Sequence, residues 1–465
     1  MAFNTLKFIL FFPCVCLVTW ILPRRWRNAF MLAVSLAFYA MWRPLCSVFL
    51  LWIAGVSYAG GLLATKCGKR RQAGLAACLA LMLLPLVFYK FIAPADAIVL
   101  AALHACGLGL DFNGLNWMIP AGLSIYTLQA VGYVADVARG KVPREQSLLN
   151  HALYLSFFPT VLSGPINRSF DLMPQFREHR LGFDKTLAGS GARLVVWGMF
   201  LKVAVADRFG IYTSSVFGHA MSHNGFSLLF AQVCYLFQMY CDFAGYSYIA
   251  QGCGRLLGID LKANFSQPLF AMGAGEFWHR WHMALSGWLR DHVYIRLGGS
   301  RCSKWRTCFN IMVTFVASGC WHGGTVCYVA WGLVNGVLVT LSHALPLKQW
   351  RRHVPARVAV TAVTLVLMAM NLTFFQPNYI QIFTRLFTAP FNAFHIMLPA
   401  YSVHATSVMC YMAFTFVVVM LRDVQAEWQV LKLPRPVSLA GYGIVVILIL
   451  LIGVIDSGQF IYVKF

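Results

Sequence analysis

Apolar stretches long enough to cross a bilayer, or nearly so, recur along the whole chain. A transmembrane helix needs about 20 predominantly apolar residues, because its backbone must satisfy its own hydrogen bonds where water is absent. Hydrophobic residues make up 59% of the 465 residues and charged residues only 11%, whereas soluble domains carry about 25% charged residues. The sequence therefore predicts an all-α polytopic membrane protein. The apolar stretches lie near residues 5–22, 28–42, 45–64, 73–93, 117–137, 147–163, 188–206, 225–245, 308–320, 326–344, 358–375, 396–421 and 437–455.

The number and length of these stretches predict one helical membrane domain with about 10 to 12 spans. Several stretches are too short to cross a bilayer alone, so we also expect re-entrant or interfacial helices where protein or water covers the backbone. The first stretch, Leu6 to Leu22, is interpreted as a retained span rather than a signal peptide. No small-residue cleavage site follows it, and Arg24, Arg25 and Arg27 lie on the wrong side of it.

The charge balance is strongly basic, at +22 from 37 Lys and Arg residues against 15 Asp and Glu residues. In a soluble protein this balance would suggest a nucleic-acid partner. Here the basic residues fall largely between apolar stretches, so membrane topology explains them better and no nucleic-acid partner is predicted. By the positive-inside rule the basic loops face the cytoplasm, which places the N-terminus and the C-terminus outside. The main clusters are Arg24/Arg25/Arg27, Lys66/Lys69/Arg70/Arg71, Arg139/Lys141/Arg144, Arg177/Arg180, Lys348/Arg351/Arg352/Arg357 and the stretch from Arg422 to Arg435.

His322 lies between two apolar stretches, and glycines follow it at Gly323 and Gly324. Ionisable groups are costly in a membrane and are candidate functional sites by default. Because burial disfavours a charged imidazole, we expect a neutral ring that can accept a proton. The small neighbouring residues would let a substrate approach closely. A core histidine that is hydrogen-bonded between helices is the simpler interpretation, and it stays open.

Four ionisable groups fall within the seven residues from Glu276 to His282, the others being His279 and Arg280. At helical spacing, residues 275–296 predict one amphipathic helix that faces a polar cavity or an interface. His279 and His282 would then lie on neighbouring faces of that helix. The simpler alternative is an interfacial helix anchored by tryptophans. No metal site is predicted, because the sequence contains no His-Glu-x-x-His pattern and no Cys-x-x-Cys pair among its 14 cysteines.

Asp136, Asp207, Asp242 and Asp291 lie near or within apolar stretches. Each could belong to a proton or ion pathway, as in a transporter. A basic residue is close in sequence to each of them except Asp242, so paired structural charge is the favoured role for the other three. Because of Asp242, an alternative function stays open: a proton-coupled secondary transporter in which the aspartate and the histidines relay protons. Paired, interrupted helices in two matching halves would favour such a transporter, and the sequence shows no such symmetry.

An ordered series of motifs resembles the membrane-bound O-acyltransferase family, and specifically its bacterial branch that acylates cell-surface polymers. The resemblance runs from about Tyr126 to Gly336, with the C-terminal tail added, and an ordered series of this kind is highly specific. It implies a helical bundle with a central tunnel, divided into N-terminal helices (1–120), a catalytic core (121–345), C-terminal helices (346–455) and an extracytoplasmic tail (456–465). The motifs are Gln129–Asp136, Phe157–Arg168, Tyr240–Ser247, Asn264–Pro268, Phe277–His282, Trp288–Asp291, Leu297–Gly299 and Trp321–Gly323.

The resemblance implies that His322, which precedes a glycine, is the catalytic residue and that His282 is its companion. His279 stands where relatives commonly have another polar residue, so we expect His282 rather than His279 to act with His322. Roles in lining or supporting the tunnel are expected for His279, Asp242, Arg280, Trp321, Asn264 and Glu276.

The segment Asp291–Arg301 resembles the alginate O-acetylation members more than the D-alanine members that serve teichoic acid. Acetyl is therefore the favoured group, although Arg296 replaces the proline usual at its position, and D-alanyl transfer on the same fold stays open. Tyr462 resembles a C-terminal tyrosine that is proposed to hold the acyl group in transit. Anchoring at the membrane interface is the other explanation for an aromatic tail.

The resemblance further implies an enzyme of the bacterial cytoplasmic (inner) membrane without a tightly bound cofactor. It would take an acetyl group from a cytoplasmic thioester, expected to be acetyl-CoA. A neutral His322 acting as a general base would contribute roughly 100- to 10,000-fold to the rate. His282 would orient the donor or, if it carries a suitable proton, stabilise the oxyanion. The expected partners are membrane lipid, a secreted hydrolase-like (SGNH-type) acetyltransferase and an extracytoplasmic polysaccharide acceptor.

Overall fold

The computed structural model describes residues 2–66, 68, 70–92, 119–178, 183–388, 405–431 and 434–454. Within these ranges the regular structure is helical and no strand occurs, which confirms the predicted all-α class. The helices are α1 Leu6–Ile21, α2 Arg24–Ala40, α3 Cys46–Ala64, α4 Arg70–Val87, α5 Leu123–Ala138, α6 Leu148–Ser156, α7 Phe158–Val161, α8 Ser169–Arg177, α9 Lys185–Met199, α10 Asp207–Gly218, α11 Gly225–Leu256, α12 Ala274–Arg280, α13 Met283–Leu289, α14 Lys304–His322, α15 Val326–Ala344, α16 Leu347–Trp350, α17 Val354–Asn371, α18 Tyr379–Thr388, α19 Ala405–Trp428 and α20 Arg435–Ile452. Single turns of π-helix occupy Phe88–Ile92, Phe200–Ala206 and Arg290–Tyr294, and 3-10 turns occupy Ala220–Ser222, Pro268–Phe270, Ile295–Leu297 and Leu372–Phe375.

Seven helices of the described residues are long and apolar enough to cross a membrane, so the chain is a multi-pass membrane protein. Three more of the predicted apolar stretches form α1, α5 and α9, which have only 15 or 16 residues and are not among the seven. The seven candidate spans are Cys46–Ala64, Arg70–Ile92, Gly225–Leu256, Val326–Ala344, Val354–Phe375, Ser407–Trp428 and Arg435–Ile452.

The longest helix, α11, forms the centre of the bundle. It has 32 residues, and 78% of its most apolar window is buried inside the protein. Glycines let α9 approach it closely: a Cβ on Gly198 would lie 2.6 Å from the carbonyl oxygen of Gly245, and a Cβ on Gly252 would lie 2.5 Å from that of Gly191. Because small residues let helix backbones meet in a membrane, this contact fixes α11 in the middle of the fold.

The hairpin of α14 and α15 is packed in the same way. A Cβ on Gly319 would lie 2.2 Å from the carbonyl oxygen of Tyr328, and a Cβ on Gly332 would lie 2.5 Å from that of Phe315. The two backbones are therefore in contact, and their packing holds the short turn that follows His322.

The predicted amphipathic helix over residues 275–296 is two short helices, α12 and α13, and this part of the prediction is wrong. His282 lies between them with φ 44° and ψ 52°, in the left-handed region. The N–H of Ser266 donates to the carbonyl of Arg280 at 2.9 Å, and the N–H of Met283 donates to that of Asn264 at 2.9 Å. These long-range hydrogen bonds replace helical ones, so His279 and His282 do not share a helix.

Ion pairs engage the acidic residues singled out in the sequence. Asp136 lies 3.8 Å from Arg139, and Asp291 lies 2.7 Å from Arg168, so these two are paired structural charges as predicted. Asp242, which has no basic neighbour in sequence, lies 2.7 Å from the buried ammonium of Lys202.

Lys202 also lies 2.7 Å from Asp207, so one buried lysine pairs with two carboxylates. Its side chain is fully buried, and each carboxylate side chain is 3% exposed. Buried charges persist in a protein when they are paired and hydrogen-bonded. A structural ion pair therefore accounts for Asp242.

Candidate active site

His322 is the last residue of α14, and its ring is enclosed by aromatic side chains. The residue is 6% exposed. The ring centroid lies 4.8 Å from that of Trp321, 4.9 Å from that of Trp331 and 5.2 Å from that of Phe375, all with nearly perpendicular planes. Edge-to-face packing of this kind fixes the orientation of a ring. The imidazole is thus held in place by packing.

The second histidine, His282, is oriented by Asn264. Its Nδ1 lies 3.1 Å from Oδ1 of Asn264, which also accepts a hydrogen bond from the backbone N–H of Ala284 at 3.1 Å. A backbone N–H can only donate, so the atom of Asn264 at this position must be the carbonyl oxygen. His282 Nδ1 must then carry the proton, and Nε2 of the neutral ring holds the lone pair. The amide nitrogen of Asn264 donates to Oγ of Ser247 at 3.1 Å, which completes the arrangement.

Two cavities meet at these histidines. In the described part of the chain, His282 and His322 are the two residues that line both cavities. The first cavity has a volume of about 30 Å³ and is mostly apolar; it is also lined by Leu236, Met239, Phe277, Trp278, Trp281, Leu285, Trp331, Asn335, Met368, Asn371, Leu372 and Phe375. The second has a volume of about 50 Å³ and is more polar; it is also lined by Lys90, Ile119, Pro120, Ala121, Gly122, Leu123, Ser124, Ile125, Leu162, Ser163, Phe243 and Trp321.

A third and larger cavity, of about 340 Å³, adjoins the first. The two share Trp278 and Leu285 in their walls. The polar residues of the third cavity include His279, Arg290 and His343. His279 therefore lies in the wall of the third cavity, whereas His322 lines the first and the second.

Two other predicted tunnel residues tie helices together. Arg280 donates two hydrogen bonds to the carboxylate of Glu427, at 2.7 and 2.9 Å, and a third to Glu276 at 3.1 Å. Glu276 also accepts a hydrogen bond from Arg351. This network links α12 to α19 and to the loop after α16, so the described contacts of Arg280 and Glu276 are structural.

Arg168 anchors the C-terminal end of α13 and the π-helical turn that follows it. Arg168 donates to Asp291 at 2.7 Å, to the carbonyl of Gly287 at 2.8 Å and to Nε2 of His292 at 2.7 Å. Burial and the nearby guanidiniums of Arg168 and Arg139 lower the pKa of His292 to about 4. A neutral His292 therefore accepts from Arg168, and the contact holds the π-helical turn after α13 against the beginning of α8.

Lys90 belongs to the same region and was not singled out from the sequence. It lines the second cavity, is 4% exposed, and donates hydrogen bonds to the backbone carbonyls of Trp321 and His322. Its position at the end of the apolar stretch 73–93 was the available signal, because a charge inside a predicted span is itself unusual. The tail with Tyr462 lies outside the described residues.

Comparisons with known proteins agree with this arrangement. The model of the membrane-bound O-acyltransferase family matches residues 123–356, which contain both histidines and most of the cavity walls. The probable alginate O-acetylase AlgI of Pseudomonas aeruginosa is 31% identical over 399 residues, covering 84% of this chain and 75% of that protein. The peptidoglycan O-acetyltransferase of Helicobacter pylori is 30% identical over 258 residues, covering 50% and 49%. The teichoic acid D-alanyltransferase of Streptococcus thermophilus is 32% identical over 240 residues, covering 48% and 56%. The chain therefore belongs to the membrane-bound O-acyltransferase family and is an acyltransferase.

Proposed function

We propose that this enzyme moves an acetyl group from a cytoplasmic thioester, acetyl-CoA, to a hydroxyl group on the other side of the membrane, for O-acetylation of an extracytoplasmic polysaccharide. The observation that carries the proposal is that His282 and His322 are shared by two cavities of different character. The similarity to alginate O-acetylases extends over 84% of the chain, against 48% for the teichoic acid D-alanyltransferase, and this favours acetyl over D-alanyl.

We assign the third and the first cavity to the thioester donor, with its phosphates in the third cavity and its thioester end in the first. Arg290, His279 and His343 line the third cavity and can bind the phosphates of a coenzyme A thioester by charge and hydrogen bonds. His343 is near the end of α15, just before the basic segment Arg351–Arg357, which the positive-inside rule places in the cytoplasm. The apolar walls of the first cavity suit the arm that carries the thioester.

The acceptor is assigned to the second cavity. The cavity lies at the end of α4 and the beginning of α5, whereas the opposite ends of these helices are next to basic residues, Arg70 and Arg139. By the same rule the cavity faces the extracytoplasmic side. In the described part of the chain, Oγ of Ser163 and Nε1 of Trp321 are buried without a hydrogen-bond partner, and both residues line this cavity. These groups are available to bind a hydroxyl.

In the reaction, the acceptor oxygen attacks the thioester carbonyl carbon while His322 removes the hydroxyl proton. The tetrahedral intermediate then breaks its carbon–sulfur bond, and the leaving thiolate takes the proton from His322, which gives an ester and free coenzyme A. Base catalysis of this kind contributes roughly 100- to 10,000-fold. His282 is proposed to accept a hydrogen bond at Nε2 and so to orient the reacting groups. The bond from Nδ1 to Asn264 leaves Nε2 without a proton to stabilise an oxyanion.

The test is His322→Ala in bacteria that have no other copy of the enzyme, with the ester content of the secreted polysaccharide measured by proton NMR. We expect the ester signal to disappear while the protein remains in the membrane at wild-type level. The matched control is His353→Ala, because His353 is exposed at the beginning of α17 and should leave the ester content unchanged. Normal ester content in His322→Ala would remove His322 from the mechanism.

The second candidate is D-alanyl transfer, which the teichoic acid relative supports over 48% of the chain. Purified enzyme supplied with acetyl-CoA or with a D-alanyl carrier thioester would distinguish the two donors. Proton-coupled transport is disfavoured, because Asp242 is paired with Lys202.

We further propose that the enzyme lies in the bacterial cytoplasmic membrane with both termini outside, and that Tyr462 or a secreted SGNH-type transferase passes the acetyl group on.

A further inference from the structure

Lys90 is a buried cation whose hydrogen-bond partners are the last backbone carbonyls of α14. It lies in the π-helical turn Phe88–Ile92 that follows α4. Turns of this kind are rare in proteins, and those that occur are often found at functional sites. Its ammonium donates to the carbonyls of Trp321 and His322, the latter at 3.1 Å. The same ammonium lies 5.2 Å from the centroid of the Trp321 ring.

These contacts complete the C-terminal end of α14. The last four carbonyls of a helix have no partner within the helix, and they carry the negative end of its dipole. Lys90 satisfies two of them and places a positive charge beside them. The backbone of the π-helical turn also packs against the residues after His322, since a Cβ on Gly324 would lie 2.4 Å from the carbonyl oxygen of Lys90. The turn therefore holds the chain before and after the catalytic histidine.

We propose that Lys90 is a positioning residue for acyl transfer, which sets the place of the His322 imidazole between the two cavities by binding the carbonyls of Trp321 and His322. The proposal rests on the proposed role of His322 as the base. A displacement of about 1 Å in a catalytic group can cost about 100-fold in rate. Loss of these two hydrogen bonds should therefore lower kcat and leave donor binding largely intact.

The chain offers a matched control at the end of α1. Nε of Arg27 donates to the carbonyl of Leu22 at 3.1 Å, and its guanidinium lies 5.0 Å from the centroid of the Trp20 ring. Lys90→Met and Arg27→Met each remove a cation that caps a helix and lies over a tryptophan. The first change is beside His322, whereas the second is at the junction of α1 and α2.

The experiment uses the full-length enzyme in lipid nanodiscs with acetyl-CoA as the donor and a hydroxyl-bearing oligosaccharide as the acceptor, and release of coenzyme A is followed by chromatography. For Lys90→Met we expect kcat to fall by about 10- to 100-fold while KM for acetyl-CoA stays within about twofold of the wild-type value. Arg27→Met should keep kcat within about twofold and lose only thermal stability. Equal kcat in the two variants would overturn the proposal, and so would a change confined to KM, which would place Lys90 in donor binding.

Two further variants keep the test decisive. If Lys90→Met does not fold, Lys90→Arg decides, because a guanidinium can donate to both carbonyls and should retain a clear share of kcat; a folded Lys90→Arg without activity would contradict the proposal. His322→Ala is measured in parallel. If it keeps its activity, the proposed function fails; if it is inactive while Lys90→Met is normal, only the role of Lys90 fails.

Discussion

Asn264→Ala tests the assignment of the His282 tautomer. The substitution removes the oxygen that accepts hydrogen bonds from His282 Nδ1 and from the backbone N–H of Ala284, both at 3.1 Å. A buried donor left without a partner costs about 1–3 kcal/mol. If neither donor finds another partner, the free energy of unfolding should fall by about 2–6 kcal/mol. If His282 moves its proton to Nε2, only Ala284 is left unpaired and the loss should be about 1–3 kcal/mol.

The effect on catalysis is separate from the effect on stability. Without Asn264 the proton of His282 is free to occupy either nitrogen, so the lone pair at Nε2 is no longer assured. We expect release of coenzyme A to fall by about 10-fold or more, as when a catalytic group loses its orientation. Asn264→Asp keeps an oxygen that can accept both hydrogen bonds, but it places a carboxylate beside the ring and favours the imidazolium, which has a proton on Nε2. This variant should also be impaired if the lone pair is required.

Two measurements on the same preparations decide the matter: thermal unfolding followed by tryptophan fluorescence, and release of coenzyme A from acetyl-CoA. Asn28→Ala is the control, because buried Asn28 donates to Asn150 and to the carbonyl of Phe176, both at 2.9 Å and in the N-terminal part of the fold. It should lose stability but retain its rate. Wild-type stability and rate in Asn264→Ala would refute the assignment. An Asn264→Asp variant that is faster than the wild type would show that Nε2 acts as a donor.

Two further predictions concern packing and pH. Gly319→Ala introduces a Cβ 2.2 Å from the carbonyl oxygen of Tyr328, so α14 and α15 must separate. We expect the free energy of unfolding to fall by about 1–3 kcal/mol. Release of coenzyme A should also be slower, because His322 moves with α14. The lowered pKa of His292 predicts that stability falls as the pH drops from about 6.5 to about 4, because over this range the unfolded chain binds a proton that the folded protein does not. Melting curves of wild type and His292→Gln across these pH values check this, and equal acid sensitivity of the two would contradict it.

His322 could be singled out as the candidate catalytic residue because the sequence carries its signal locally. An imidazole between two apolar stretches, followed by Gly323 and Gly324, is unusual in a membrane protein whatever the packing around it. The ordered motifs added the family, which the matching model confirms over residues 123–356. Length and hydrophobicity were sufficient for the all-α membrane class, because a backbone in lipid must form helices or closed barrels.

The break at His282 was not predictable from local pattern. Residues 275–296 have helical periodicity, and the sequence gives no sign that backbone groups near Asn264 will bond to Arg280 and Met283. Hydrogen bonds between segments that are distant in the chain outweighed local helix propensity. The partner of Asp242 could not be predicted for the same reason. Lys202 is 40 positions away in the sequence, and it reaches Asp242 only because the π-helical turn Phe200–Ala206 packs against α11.

The sequence by itself determined that this chain is a helical membrane protein of the acyltransferase family and that His322 is its candidate base, because hydrophobicity, spacing and motif order are properties of the chain alone. Only the tertiary structure decided which groups act on His322 and on its companion His282. Asn264, which fixes the tautomer of His282, and Lys90, which binds the end of α14, are brought to the site by packing between helices. The physical reason is that a hydrogen bond depends on distance and direction in space, and the chain specifies these only after it has folded.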